Sequence, residues 1–159
     1  MQSKEEVSQK ARAYAFLLLK FRLRSEQELY SRLKRKKFPE QVIDSTLKFL
    51  KEKNFIDDRV FASAWTRARL KRPFGIRRIT QELALKGVPK DIVQDTLLGI
   101  KDNYSETQIV QNLAKEKLEK LKGYEPIKAR NRVNAYLLRR GFSPETVYDV
   151  LSKLCKQTY

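Results

Sequence analysis

The side chains most able to do chemistry in this sequence are its cations. They run together at Lys34-Arg35-Lys36-Lys37, Arg67-x-Arg69-x-Lys71-Arg72, Arg77-Arg78, Arg130-x-Arg132 and Arg139-Arg140. Guanidinium and ammonium groups pair with phosphate oxygens, and clusters of them bind polyanions. Each run has a plainer use too: cations in the last turn of a helix offset its dipole by about 0.3–1 kcal/mol. The ensemble favours the polyanion. Thirty-five Lys and Arg face 19 Asp and Glu, for a net charge of +16 and a pI near 10.0. Nor is the excess a detachable arm. Residues 1–53 hold 14 basic and 7 acidic side chains, residues 54–103 hold 10 and 6, and residues 104–159 hold 11 and 6. A positive surface along the whole length has nucleic acid as its expected partner.

Other chemistries lack their residues. Without a single histidine there is no His general base, no Ser-His-Asp or Cys-His machinery and no His metal ligand. One cysteine, Cys155, makes neither an intrachain disulfide nor a Cys-rich zinc site, and reads as a small packing residue in a reducing compartment. Asp57-Asp58 reads as a helix cap, not a catalytic pair, and no Gly-rich phosphate loop offers a place for ATP. No catalytic residue, metal or cofactor is expected. The N-terminus carries Lys4, Glu5, Glu6, Lys10 and Arg12, unlike a signal peptide. The longest apolar run, Ala15 to Leu19, falls far below the roughly 20 residues that span a bilayer. A cytoplasmic monomer with no membrane partner is expected.

The elements that must position these cations repeat. Leu29-x-x-x-Leu33-x-x-Lys36-Lys37-Phe38-Pro39-x-x-Val42-Ile43 returns as Ile79-x-x-x-Leu83-x-x-Lys86-Gly87-Val88-Pro89-x-x-Ile92-Val93. It returns again as Val133-x-x-x-Leu137-x-x-Arg140-Gly141-Phe142-Ser143-x-x-Thr146-Val147. One gapless frame serving three copies about 50 residues apart marks a repeat architecture. Each copy reads as three helices. Ser3 with Glu6, Ser25 with Glu28 and Ser105 with Gln108 are capping-box pairs. Asp57 and Ser143 are N-caps, Pro73 stops a helix, and Pro126 opens one. Val42, Ile43, Thr46, Leu47 and Leu50 form a core-facing stripe. No period-2 stretch is long enough for a strand. The expected fold is all-α: nine helices in three tandem three-helix repeats (1–53, 54–103 and 104–159), stacked into an elongated, curved molecule.

Phe16, Phe21, Phe38, Phe49, Phe55, Phe61, Trp65 and Phe142 fall on apolar stripes or caps and are expected in the core. Tyr30, Phe74 and Tyr136 lie beside cations, where an aromatic ring can also stack on a base. Phe74, between Pro73 and Gly75 in a short loop, is the foremost of these.

Four segments in order carry a family resemblance: RSEQELYSRL (Arg24–Leu33), NFIDDRVFASAW (Asn54–Trp65), RPFGIRRITQELALKGV (Arg72–Val88) and LLRRGFSPETV (Leu137–Val147). Together they resemble the RecX family across nearly the whole chain. The resemblance implies a three-unit helical regulator of the bacterial RecA recombinase, acting in DNA repair, recombination and the SOS response. It implies binding to RecA–DNA filaments and to single- and double-stranded DNA. It further implies inhibition of RecA's ATPase, strand exchange and coprotease activities, with no catalytic site. Ser25, Glu28, Asp57 and Asp58 match the family's capping positions. Arg69, Gly75, Arg78, Glu82, Lys86 and Gly87 match its central signature, and Arg69, Arg78 and Lys86 are the expected partner contacts. Arg139, Arg140 and Gly141 match the turn of the third unit. One column departs: Lys37 stands where the other repeats have Gly87 and Gly141. A left-handed residue is wanted after a helix at that point, and a non-glycine there costs about 1–2 kcal/mol. Either the first turn is built differently or Lys37 makes a contact that offsets the strain.

The candidate DNA- or filament-binding residues are therefore Arg24, Arg32, Lys34, Arg35, Lys36, Lys37, Arg67, Arg69, Lys71, Arg72, Phe74, Arg77, Arg78, Lys86, Arg130, Arg132, Arg139 and Arg140. A stand-alone basic DNA-binding protein without recombinase regulation is the alternative, because paired helices joined at a tight turn resemble a helix-turn-helix.

Overall fold

Nine α-helices and one short 3-10 turn make up the secondary structure of the computed structural model, which describes residues 3–156; no strand occurs among the described residues. The first three helices are α1 (Lys4–Phe21), α2 (Glu26–Arg35) and α3 (Glu40–Glu52). Then come α4 (Asp58–Leu70), α5 (Ile76–Leu85) and α6 (Lys90–Leu98), followed by α7 (Glu106–Lys120), α8 (Pro126–Arg139) and α9 (Pro144–Lys156). The all-α tandem three-helix arrangement expected from the repeat is present.

The helices start where side chains can satisfy free amides. Ser25 and Glu28 form a reciprocal capping box on α2. Ser3 accepts from the Glu6 amide and Ser105 from the Gln108 amide. Asp57 Oδ1 accepts from the Arg59 amide at 2.8 Å. Pro126 takes the first position of α8, where its missing N–H costs nothing.

By contact the chain divides into two compact units. One holds the chain through Trp65 together with Leu83–Thr96; the other holds Thr66–Glu82 and the chain from Leu97 onward. In the first, Ala11, Ala15 and Leu18 of α1 meet Leu29 and Leu33 of α2 and Val42, Ile43, Leu47 and Leu50 of α3. Small residues on α1 let the leucines of α2 and α3 approach closely. In the second, Val110 and Ala114 of α7 pack with Val133 and Leu137 of α8, and with Phe142, Val147, Val150 and Leu151 in and before α9.

Two aromatics expected inside are outside. Phe21 is 76% exposed and Phe55 49%. Phe21 ends α1, a full turn past the last position of its apolar stripe, where no neighbouring helix remains to cover it. Phe55 follows α3, and its ring meets Phe16 edge-on at 4.8 Å instead of entering the core.

The three Gly-column turns share one geometry. Lys37 adopts φ 63°, Gly87 72° and Gly141 88°. In each, the amide of that residue donates to a carbonyl three residues back, and the next amide to one five residues back. The pairs are Lys37 to Lys34 and Phe38 to Leu33, Gly87 to Ala84 and Val88 to Leu83, and Gly141 to Leu138 and Phe142 to Leu137. The first turn is thus not built differently: Lys37 is left-handed like the glycines, and its side chain is exposed.

Candidate nucleic-acid interface

The candidate residues separate by what they touch. On the first unit, Arg32, Lys34, Arg35, Lys36 and Lys37 are exposed at the end of α2. Three lie in the helix's last turn, so they also oppose its dipole. Lys34 Nζ donates to the Tyr30 hydroxyl at 3.1 Å, which raises the ammonium's pKa and keeps it charged. Lys36 lies over the Tyr14 ring at 5.4 Å.

Lys86 is committed elsewhere in that unit. Its ammonium pairs with Glu28 at 3.0 Å and lies 4.6 Å from the Trp65 ring centre. Glu28 is a hub: Arg22 reaches both of its oxygens, at 2.7 and 3.1 Å, and the Ser25 amide adds a third donor side. Burial alone would raise the Glu28 pKa, but hydrogen bonds from Arg22, Lys86 and Ser25 outweigh it and hold the carboxyl at about 2. The Lys86 carbonyl accepts from the Ser25 hydroxyl, and Asp58 Oδ1 accepts from the Glu26 amide at 2.9 Å. Burial raises the pKa of Asp58. These contacts tie the start of α2 to α4 and to the turn after α5. Arg24 is half-buried nearby, its pKa lowered by burial and by Arg22.

The second unit gathers the rest. Glu82 accepts from Arg69 Nε at 2.7 Å and from Arg78 Nε at 3.1 Å. Phe74 is only 9% exposed, and the guanidinium carbons of Arg69, Arg78 and Arg140 lie 5.4, 4.3 and 4.7 Å from its ring centre. The ring is a floor for cations, with its faces occupied. Arg140 also approaches Tyr136 at 5.2 Å, and Lys117 approaches the same ring at 4.5 Å. Over this floor opens a cleft of about 570 Å³ lined by Arg72, Pro73, Phe74, Arg78, Tyr136, Arg139 and Arg140. Backbone contacts fix its two walls. The Gly75 amide donates to the Arg140 carbonyl at 2.8 Å, and a β-carbon on Gly75 would stand 2.2 Å from the Gly141 carbonyl oxygen.

Arg67, Lys71 and Arg77 are exposed outside the cleft. Arg130 is half-buried and donates to the Ser152 hydroxyl at 3.2 Å, while exposed Arg132 covers Tyr124 at 4.9 Å. The structure therefore brings Arg72, Phe74, Arg78, Arg139 and Arg140 into one cleft, engages Arg69 and Lys86 with carboxylates, and leaves the end of α2 as a separate basic patch. Sequence reasoning treated Glu28 as a cap alone and gave Glu82 no role. Arg78 and Glu82 are one turn apart, a readable signal, but the approach of Arg69 depends on tertiary packing. Among the described residues no group of three or more Cys, Asp and Glu converges to hold a metal ion. No helix there is long and apolar enough to cross a membrane.

Comparison with known proteins adds the family. Residues 11–50, 57–97 and 105–151 match, in that order, the first, second and third three-helix domains of RecX. The regulatory protein RecX of Mannheimia succiniciproducens is 34% identical over 140 residues, covering 87% of this chain and 90% of that one. The regulatory protein RecX of Prosthecochloris aestuarii is 32% identical over 148 residues, covering 92% and 95%. The crystal structure of RecX from Lactobacillus salivarius shares the fold, with a TM-score of 0.79 at 20% identity over 94% of this chain and 97% of that one.

Proposed function

The chain belongs to the RecX family, and from that premise we propose that it is a non-enzymatic regulator that binds RecA–DNA filaments and lowers RecA's ATPase, strand exchange and coprotease activities. The observation that carries the proposal is a set of arginines without counter-charge: among the described residues no carboxylate pairs with Arg72, Arg139 or Arg140. Cations held in a cleft with no acid to neutralise them fit an anionic partner, and a recombinase filament on DNA presents phosphates in register. Inhibition would be indirect. A ligand that prefers one filament state shifts the population toward it, and so alters nucleotide turnover without touching the nucleotide.

The test is the ATPase of preformed RecA filaments on single-stranded DNA, with this protein titrated in at fixed salt. Turnover falling at well below one protein per recombinase supports the proposal and favours end-capping or propagated effects. Unchanged turnover at saturating protein overturns it and leaves a DNA-binding helical protein.

A further inference from the structure

We infer that the arginine cleft of the second unit is the seat of one phosphodiester of an unpaired strand, with the adjoining base against Tyr136; this rests on the reading above that the protein binds DNA. The cleft is assembled from three places in the chain. Arg72 comes from the loop after α4, Arg78 from the first turn of α5, and Arg139 and Arg140 from the end of α8. Four guanidinium groups converge, and the lining contains no carboxylate. Glu82 balances Arg69 and Arg78 from beside the cleft. The remaining positive charge is held close together, an arrangement that an entering anion relieves. Guanidinium is suited to that anion, because its planar fork matches two phosphate oxygens at once.

The geometry is set before any ligand arrives. Phe74 fixes the planes of Arg78 and Arg140 against its ring. Arg78 Nη1 also lies 3.5 Å from the Arg139 carbonyl. Gly75 and Gly141 interlock too closely for a side chain on either. A site whose side chains are already ordered loses little entropy on binding.

The volume and the aromatic decide the class of ligand. About 570 Å³ is the size of a small-ligand site, enough for a phosphate with its sugar and base. Tyr136 is half-exposed on the rim and already carries cations, so its ring is available at the edge where a base would lie. A duplex turns its phosphates outward and keeps its bases stacked within. It can touch Arg72 and Arg139, but cannot bring a base onto Tyr136. An unpaired strand does both.

The test compares oligothymidylate with a DNA duplex hairpin of equal phosphate number, by fluorescence anisotropy with the full chain. Arg72→Gln with Arg139→Gln removes two exposed charges that make no printed fold contact, and is expected to weaken single-strand binding about tenfold. The salt slope should become shallower by about 1.4, at 0.7 for each single-strand phosphate contact. Tyr136→Leu should weaken single-strand binding, leave duplex binding and the salt slope unchanged, and be rescued by Tyr136→Phe. Equal losses for both DNAs in Tyr136→Leu, or wild-type binding in the double variant, overturn the assignment while the regulator reading stands on its ATPase test. Wild-type protein that binds neither DNA overturns the DNA-binding reading as well. Competition by thymidine monophosphate as strong as by the strand would make this a free-nucleotide site and also overturn the assignment.

Discussion

Three residues in one column separate two reasons for glycine. Lys37, Gly87 and Gly141 share a left-handed backbone and the same pair of hydrogen bonds, so the conformation alone does not demand glycine. Close approach does. A β-carbon on Gly141 would stand 2.3 Å from Arg78 Cβ and 2.6 Å from its amide nitrogen, and one on Gly87 would meet Gln27 Cβ at 2.4 Å. Gly87 lies against the start of α2 and Gly141 against the start of α5, whereas Lys37 points into solvent. Lys37→Gly should therefore relieve backbone strain and stabilise by about 1 kcal/mol, seen as a higher urea midpoint with an unchanged m-value. Gly141→Ala adds a backbone clash to the same strain, and should destabilise by about 2 kcal/mol or more. The glycine column was legible in the sequence, but the reason for its exception was not, because the packing partners at Gly87 and Gly141 lie about 60 residues away. Phe21 and Phe55 show the opposite limit: aromatic type alone did not reveal that the helix covering them had run out.

Among elements, the start of α2 is the most heavily tied. The Ser25–Glu28 capping box was readable from a four-residue spacing. Its extension was not, since Lys86, Arg22 and Asp58 converge on it only in the fold. The consequence is a pH dependence of known sign. Glu28 is held at about 2, below its ordinary value of 4.5. The unfolded chain therefore binds the proton first as pH falls. The stability from Glu28 is complete above about pH 5 and is lost progressively as pH drops through 4.5 toward 2. The shift corresponds to about 3 kcal/mol at full strength. Glu28→Gln should lower stability at pH 7 and flatten the decline between pH 5 and 2, as urea denaturation across that range would read. Asp58 acts in the other direction. Its burial raises its pKa, so its carboxylate costs stability above that pKa, and a retained slope in the Gln variant would be smaller than Glu28's own. If Glu28→Gln keeps the full wild-type slope, the hub carries no such energy.

At the scale of the whole molecule, periodicity and packing report different things. The sequence repeats three times because each copy needs the same helix starts, stripes and turn. Contacts gather the described chain into two units, and the second repeat contributes to both. Periodicity records local demand on a helix, while contact records which neighbour meets it. The charge follows the first pattern, with an excess in every repeat, and the distribution was legible from counting alone. What counting could not supply was grouping: an exposed patch at the end of α2 and an enclosed cleft beside α8 look alike as runs of letters. The two should differ in solution. Lys34→Gln with Arg35→Gln removes as many charges as Arg72→Gln with Arg139→Gln. If each charge contacts a phosphate, both pairs should make the single-strand salt slope shallower by about 1.4. Only the cleft pair should alter the preference for single-stranded over duplex DNA, because only there is charge joined to a ring and an enclosing wall. Equal changes in preference from the two pairs would mean that the surface acts as diffuse charge, and that the grouping contributes nothing to selection.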